Sequence, residues 1–168
     1  MFQPKPGTKA DPARRWALSD RAFFAHGACH ILAGVCLHDW QHGGLWAERI
    51  IPNGPNPRNH IYVTDGTLCL DYRGTTSRDR LLAWNATRMT QRIPGWRGTV
   101  ALVRFDLLDT RALNARKMRG PDQYLHDPIA RARAFLASRH APSPSLSPKN
   151  PPRRAGLPKA AHPLMSAP

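Results

Sequence analysis

HIYVTDGTLCLD, residues 60–71, contains two short β-prone runs on either side of an Asp-Gly dipeptide. Asp-Gly favours a two-residue type I′ turn, because both central residues of that turn take positive φ angles. With this dipeptide as the loop, Tyr62 lies opposite Cys69 and His60 lies opposite Asp71. Directly opposed residues share one face of a sheet. The sequence therefore predicts a β-hairpin that brings a histidine and a carboxylate together.

A helix is predicted upstream of this hairpin, over about residues 29–38 (CHILAGVCLH), where apolar residues recur at helical spacing and form one buried face. A cysteine at the start of a helix meets unpaired N–H groups and the positive end of the helix dipole, which stabilise a thiolate. Cys29 is therefore the candidate nucleophile. Cys36 lies within the helix and Cys69 within the hairpin, and for both we expect a buried, structural role.

The chain between residues 16 and 140 predicts a single small α+β domain. Ser77 is placed to cap a helix, and Asp127 followed by proline is typical of another helix start. We expect the helix that carries Cys29 to pack on an antiparallel sheet. The further predicted elements are strands at 46–51 and 99–105 and helices after Ser19 and at 78–91, 110–117 and 128–138.

The two ends of the chain differ in composition from this central region. Residues 1–15 hold three prolines and little apolar mass, and eight of the 17 prolines fall in residues 141–168 among Ser, Lys and Arg. Ordering such segments loses backbone entropy with little apolar surface to bury in return. We therefore expect a disordered basic arm at 1–15 and a disordered, Pro-rich basic tail at 141–168.

Composition excludes several classes of protein. The formal net charge is +14, and about half of the excess lies in the two ends rather than in the domain. No apolar run is long enough to cross a bilayer, so no membrane insertion is expected. No secretory signal is recognisable near the start, and we expect a cytoplasmic protein. Three cysteines are too few, and odd in number, for a disulfide framework, which favours reduced thiols.

Cys29, His60 and Asp71 together form a candidate catalytic set. In such a set the thiolate attacks, the histidine takes and returns a proton, and the carboxylate on the far ring nitrogen fixes the histidine tautomer. The hairpin supplies the contact between His60 and Asp71, whereas contact between Cys29 and His60 depends on tertiary structure. His30 follows Cys29 directly and is expected to point elsewhere, which argues against it as the base.

The same residues resemble a known family. The order Cys29, His60, Asp71, with the cysteine of GACHILA entering a helix and HIYV followed by DG and LD, looks like the papain-like superfamily. Its transglutaminase-like branch is the closer likeness, and the resemblance covers roughly residues 19–74. It implies an α+β domain that attacks an amide, isopeptide or acyl bond of a peptide, protein or small-molecule substrate through an acyl-enzyme intermediate. We expect no cofactor and no metal ion.

The sequence departs from the papain-like pattern at the oxyanion site. Papain-like enzymes place a glutamine a few residues before the cysteine, and no glutamine lies between Gln3 and Gln41. The backbone N–H of Cys29 can serve as one donor to an oxyanion, with His26 as the second candidate donor.

Three alternatives stay open at the level of sequence. A cysteine on an apolar helix and a histidine opposite an aspartate also occur as plain structural features, without catalysis. Six Cys and His residues crowd between positions 26 and 42, which suggests zinc, although the paired spacing of a standard zinc site is missing. The net charge suggests a basic nucleic-acid-binding protein, or weak electrostatic contact with nucleic acid through the two ends of the chain.

Overall fold

The computed structural model describes residues 5–40, 44–53 and 59–139. These residues form a five-stranded antiparallel sheet, with strand order β4-β3-β2-β1-β5, and helices on both of its faces, which confirms the predicted α+β class. The strands are β1 (Trp46–Pro52), β2 (His60–Thr64), β3 (Leu68–Asp71), β4 (Gly74–Ser77) and β5 (Gly98–Leu102). The helices are α1 (Pro12–Trp16), α2 (Asp20–Ala25), α3 (Cys29–Asp39), α4 (Arg78–Arg92), α5 (Thr110–Asn114) and α6 (Pro128–Arg139), with a short 3-10 turn at Pro121–Gln123.

The turn of the β2–β3 hairpin differs from the predicted one. Gly66 has a positive φ of +93° but Asp65 does not, and the backbone N–H of Asp65 donates to the carbonyl oxygen of Leu68 at 3.2 Å. The loop residues are therefore Gly66 and Thr67, one position later than predicted. The cause lies in the Asp65 side chain, whose Oδ1 accepts from the N–H groups of Thr67 and Leu68 at 2.8 and 2.7 Å. These two bonds hold Asp65 before the turn rather than inside it.

The strand register moves by two residues as a result. Cys69 pairs with Thr64 rather than with Tyr62, so the prediction that His60 lies directly opposite Asp71 is wrong. Extension of the observed register sets Asp71 opposite Tyr62, with His60 one diagonal step away. Because side chains alternate between faces with a period of two, a shift of two residues leaves His60 and Asp71 on the same side of the sheet.

The strands contribute to a core on each face of the sheet. Ile61 and Val63 pack toward α3 on one face, whereas Tyr62 and Cys69 pack with Leu81 of α4 on the other. Strand β2 is therefore covered on both sides, and four of its five residues are buried. A central strand of this kind needs apolar side chains on both faces, which explains why its sequence does not alternate between polar and apolar residues.

Helix α3 is buried over its first eight residues, from Cys29 to Cys36, rather than on one face as the sequence predicts. The reason is its position, since α3 packs against the sheet on one side and against α2 and α6 on others. Gly34 allows a close approach on one side, because a Cβ there would lie 2.8 Å from Cδ2 of Leu108. Close packing on every side leaves the helix little freedom to move, and this fixes the position of Cys29, its first residue.

Helix α6 is tied to the first helices by aromatic and ionic contacts. The rings of Phe24 and Phe135 lie 5.1 Å apart between their centroids. Arg131 donates from Nε to Asp20 Oδ1 at 2.7 Å and from Nη1 to the carbonyl oxygen of Trp16 at 2.7 Å. These contacts fix the connection between α1 and α2 on the body of the domain.

The predicted helix caps are present at Ser77 and Asp127, whose side chains accept backbone N–H groups at the starts of α4 and α6. Strand β5 ends at Leu102 and helix α5 at Asn114, earlier than predicted. Strand β4 is absent from the prediction because its residues are polar and only half-buried, so no apolar alternation marks it. Within the described ranges, no helix combines the length and the apolar character needed to cross a membrane.

Residues 5–15 differ from the disordered arm that the sequence predicts. They include turns and helix α1, which begins where the Asp11 side chain accepts the N–H of Arg14 at 3.0 Å. Arg15 is buried, and its guanidinium lies 5.9 Å from the ring centroid of Tyr124. Polar and cation–π contacts, which the apolar count does not register, hold this segment against the domain. Residues 1–4 and the predicted tail at 141–168 lie outside the described residues. The nucleic-acid contacts predicted for that tail therefore concern residues outside the described part of the chain.

Candidate active site

The thiol of Cys29 lies between two histidine side chains. Cys29 is the first residue of α3, and Gly27, with a φ of +130°, turns the chain out of α2 just before it. The Cys29 side chain is hydrogen-bonded to those of both His60 and His30. The structure therefore brings together a helix residue and a strand residue that are 31 positions apart in the sequence.

Behind His60 lies Asp71. The Nε2 atom of His60 is 3.0 Å from Asp71 Oδ2, and the Asp71 side chain is only 1% exposed. Arg73 neutralises this carboxylate further, with Nη2 at 2.7 Å from Oδ2 and its backbone N–H at 2.8 Å from Oδ1. Burial alone would raise the pKa of Asp71, but the bonds from His60 and Arg73 lower it below the usual range. Asp71 is therefore a carboxylate that only accepts hydrogen bonds.

Aromatic rings fix the orientation of this group. The His60 ring meets the edge of Tyr72 at 5.7 Å and stacks on Tyr62 at 6.2 Å, measured between centroids. The guanidinium of Arg73 lies 3.7 Å from the ring centroid of Trp84 on α4. Arg73 is the residue that sequence reasoning missed here. Its position two residues after Asp71, across a tight loop, is the signal that points to it.

The hydrogen bonds define which ring nitrogen of His60 faces the thiol. Because the Asp71 carboxylate only accepts, Nε2 carries a proton and donates it. The other ring nitrogen, Nδ1, is then the one available to Cys29. A thiol, a histidine and a carboxylate are thus connected in the order that nucleophilic catalysis requires.

The charges of Cys29 and His60 stabilise each other. Burial would raise the pKa of the Cys29 thiol, but hydrogen bonds from His30 and His60 and the charge of both rings lower it to about 5. Burial would lower the pKa of His60, but the bonds to Asp71 and Cys29 raise it to about 9. Near neutral pH the pair is therefore a thiolate beside an imidazolium.

The other two cysteines have the opposite character. Burial raises the pKa of Cys36 to about 12, and the charge of Asp39 adds to this shift. Burial also raises the pKa of Cys69 to about 12, with Asp71 contributing. All three cysteines are buried and free of disulfides, so burial alone does not separate them. What distinguishes Cys29 is the pair of histidines.

His30 does not point away from Cys29, and that sequence-based interpretation is wrong. Its Nε2 lies 2.7 Å from the backbone carbonyl oxygen of Arg119, and its side chain also bonds to the thiol. A carbonyl oxygen only accepts, so Nε2 carries a proton and the remaining ring nitrogen serves the cysteine. The prediction assumed that the side chains of adjacent helix residues point in different directions. It is wrong here because the loop that contains Arg119 binds the His30 ring and holds it next to the thiol.

Cys29 and His60 line a cleft of about 700 Å³. Cys29 and His60 line it together with His30 and Tyr72, while Asp71 sits behind His60. Its volume falls in the usual range for small-molecule sites, about 300–1,000 Å³. A substrate can therefore reach the buried thiol from one side.

Candidate oxyanion donors are also in this cleft. As the first residue of α3, Cys29 has a backbone N–H that no carbonyl of the same helix accepts. His26, the second candidate donor, directly follows the last residue of α2 and lines the same cleft. Both candidates therefore lie on the side from which a substrate carbonyl would approach.

The zinc alternative finds little support in the described residues. Among residues 5–40, 44–53 and 59–139, no group of three or more Cys, His, Asp or Glu side chains is arranged to hold a metal ion. His38 lies at the far end of α3 and bonds to Asp39 at 3.0 Å. His42 lies outside the described residues.

No protein-family description, curated protein or solved structure matches this chain. The likeness to the papain-like superfamily therefore rests on the motifs of the sequence around Cys29, His60 and Asp71.

Proposed function

We propose that this protein is a cysteine-dependent hydrolase or acyltransferase that acts on an amide, isopeptide or acyl bond through the Cys29 thiolate. The observation that carries the proposal is the hydrogen-bonded series from Cys29 to His60 to Asp71 at the inner end of an open cleft. The nucleophile on a helix and the other two residues on an antiparallel sheet also support a papain-like fold of the transglutaminase-like type. Its substrate would be a peptide, a protein or a small acyl or amide compound.

The chemistry begins with attack of the thiolate on a carbonyl carbon. A carbon–sulfur bond forms, and the carbonyl electron pair moves to oxygen, where the Cys29 N–H and His26 are the candidate donors. The intermediate collapses by breaking the bond to the leaving group, which takes a proton from the His60 imidazolium. Water or an amine then attacks the thioester and gives its proton to His60, and Cys29 leaves again as a thiolate.

The direct test is labelling of the folded protein with iodoacetamide at pH 6. An ordinary cysteine has a pKa near 8.5, so at pH 6 only about one molecule in 300 carries the reactive thiolate. We expect peptide mapping to find the label on Cys29 and not on Cys36 or Cys69. Labelling of all three cysteines at similar rates, and only after unfolding, would overturn the proposal.

The three cysteine variants provide matched controls. Cys29→Ala should keep a cooperative thermal unfolding transition and lose the label, because the reacting thiol is gone while the core packing of α3 on the sheet remains. Cys36→Ala and Cys69→Ala should keep the label, since their thiols lie away from the histidine pair. Release of a fluorescent amine or alcohol from a panel of amide and ester substrates should follow the same order across the variants.

A further inference from the structure

The cleft that holds Cys29 and His60 is strongly basic. Its lining includes seven lysine and arginine side chains, which come from three separate parts of the chain. The segment before α1, together with α1 itself, contributes three of them, α4 contributes two, and the loop after α5 contributes two. They are Lys5, Lys9, Arg15, Arg88, Arg92, Lys117 and Arg119.

Helix α4 presents one of these walls as a regular face. Trp84, Arg88 and Arg92 follow each other at intervals of four residues, and all three line the cleft. Residues four apart on a helix lie above one another. The two arginines therefore point into the same space because of the helix geometry. Arg80 lies one further turn back on α4 but is exposed and outside the cleft.

No acidic side chain balances this charge within the cleft. All 11 Asp and Glu residues belong to the described part of the chain, and none of them lines it. The ion pairs among described residues involve other basic side chains, including Arg73, Arg78 and Arg131. Arg88 and Arg119 form no ion pair with a described acid. Arg88 and Arg119 therefore bring to the cleft a positive charge that no described acidic side chain neutralises.

Contacts with aromatic rings position some of these arginines without neutralising them. The guanidinium of Arg119 lies 5.8 Å from the ring centroid of Tyr124, and that of Arg88 lies 5.0 Å from Trp84. A ring face attracts a cation but removes none of its charge. Contact with a ring face uses none of the N–H donors of a guanidinium, and Arg88, which also bonds to the Tyr72 side chain, has further donors for an incoming anion.

We propose that the substrate of this site is anionic: an acyl or amide compound that carries a carboxylate or phosphate group close to the bond that is attacked. This inference rests on the proposed function, because it names the substrate class of the same site. Basic side chains around a cleft of about 700 Å³, among them Arg88 and Arg119 without an acidic partner, attract a small anion and orient it. The enclosed volume fits a small molecule or the end of a peptide better than a nucleic-acid duplex.

Two alkylating reagents of similar size test the charge preference directly. Iodoacetate carries a carboxylate and iodoacetamide is neutral, and both alkylate a thiolate with loss of iodide. We expect the ratio of the rate constants, iodoacetate over iodoacetamide, to be roughly tenfold higher for Cys29 than for N-acetylcysteine amide in the same buffer. The excess should shrink at 0.5 M salt, since screening shortens the reach of the charges.

Charge-removing variants locate the source of that preference. Arg88→Gln and Lys117→Gln should each lower the ratio by roughly two- to threefold, as expected for one charge several ångströms away. Arg80→Gln, on the same helix as Arg88 but outside the cleft, should leave it unchanged. Because Lys117 is exposed, its replacement keeps the test valid if Arg88→Gln fails to fold. An equal ratio for Cys29 and the model thiol, or equal effects of all three variants, would overturn the inference.

A second measurement separates this inference from the proposed function. Cys29→Ala has no nucleophile, yet its cleft keeps every cation. Inorganic tripolyphosphate should therefore raise the unfolding temperature of Cys29→Ala, and Lys117→Gln in that background should weaken the shift. Iodoacetamide labelling without anion preference or tripolyphosphate binding would leave the proposed function standing and overturn the anionic substrate. Tripolyphosphate binding without labelling of Cys29 would leave only an anion-binding cleft and would overturn the proposed function, and with it the anionic substrate.

Discussion

His60 donates its Nε2 proton to Asp71 Oδ2 at 3.0 Å, across a hairpin in which the two residues are diagonal rather than direct neighbours. Asp71 is held in turn by Arg73 through both its side chain and its backbone N–H. The imidazole is therefore oriented from behind by a carboxylate that has little freedom to turn. The pH dependence of the site should reflect this arrangement.

The reactivity of Cys29 should depend on pH in a way that no ordinary thiol shows. Its pKa is about 5 and that of His60 is about 9. As pH rises through about 5 the thiol loses its proton, so the rate of iodoacetamide labelling should rise there and then level off. Turnover should fall again above about pH 9, when His60 loses the proton that it gives to the leaving group. A single labelling midpoint between pH 8 and 9 would contradict the expectation.

Asp71→Asn should move the upper limit of activity to lower pH. The carboxylate helps to raise the pKa of His60, and its loss lets the imidazolium deprotonate earlier. Turnover at neutral pH should fall by roughly 100-fold or more, because the histidine also loses the partner that fixes its tautomer. Asp79→Asn, with the same loss of charge at an exposed position on α4, is the control and should keep the wild-type profile. Identical pH profiles for the two variants would remove Asp71 from the site.

His30→Asn should raise the pKa of Cys29 while leaving His60 and Asp71 in place. One of the two histidines that stabilise the thiolate is then gone, so labelling at pH 5–6 should slow, approaching roughly tenfold for each unit by which the pKa of Cys29 exceeds the pH. His38→Asn lies near the exposed end of the same helix and should leave labelling unchanged. An unshifted labelling profile in His30→Asn would mean that His60 alone lowers the pKa of the thiol.

Glu48→Ala should destabilise the face of the sheet that packs on α4. Glu48 accepts from the Tyr62 hydroxyl, and Arg78 Nε lies 2.8 Å from its Oε2. Removing one partner of such a largely buried pair should cost about 2–3 kcal/mol, and urea unfolding at pH 7 would measure this loss. Asp79→Ala, exposed in the first turn of α4, should cost less than about 1 kcal/mol.

The ion pair between Glu48 and Arg78 makes the stability lost in Glu48→Ala dependent on pH. Burial would raise the pKa of Glu48, but bonds from Arg78, Tyr62 and Trp46 lower it below its value in the unfolded chain. A carboxyl group of this kind stabilises the fold above its unfolded pKa and stops doing so as pH falls through its folded pKa. The stability gap between wild type and Glu48→Ala should therefore narrow on acidification. A gap that is constant from pH 7 to pH 3 would argue against the charged pair.

Local signals in the sequence predicted much of the architecture. The helix that starts at Cys29 and the hairpin are present, and the caps at Ser77 and Asp127 begin helices as expected, because each depends on residues within a few positions. The hairpin turn was misplaced because two side-chain bonds of Asp65 outweigh the preference of Asp-Gly for the loop. His60 and Asp71 still lie on the same face of the sheet, because the register differs from the predicted one by an even number of residues.

Contacts that join distant segments escaped prediction. The hydrogen bond from His30 to the carbonyl oxygen of Arg119 joins residues 89 positions apart, and no sequence pattern near His30 predicts it. The basic walls of the cleft come from three segments whose charges look scattered in the sequence. Arg15 belongs to a segment that composition assigns to a disordered arm, since a count of apolar residues does not register cation–π contacts.

The bond between Cys29 on α3 and His60 on β2 also makes this thiol an intrinsic reporter of folding. In an unfolded chain the two residues drift apart, and Cys29 becomes an ordinary thiol that hardly reacts at pH 6. The rate of labelling at that pH therefore measures the fraction of molecules that are correctly assembled, without an added dye or tag. Variants that keep Cys29 and both of its histidine partners, such as Arg88→Gln, Lys117→Gln and Glu48→Ala, therefore carry an internal check of correct folding in the thiol itself.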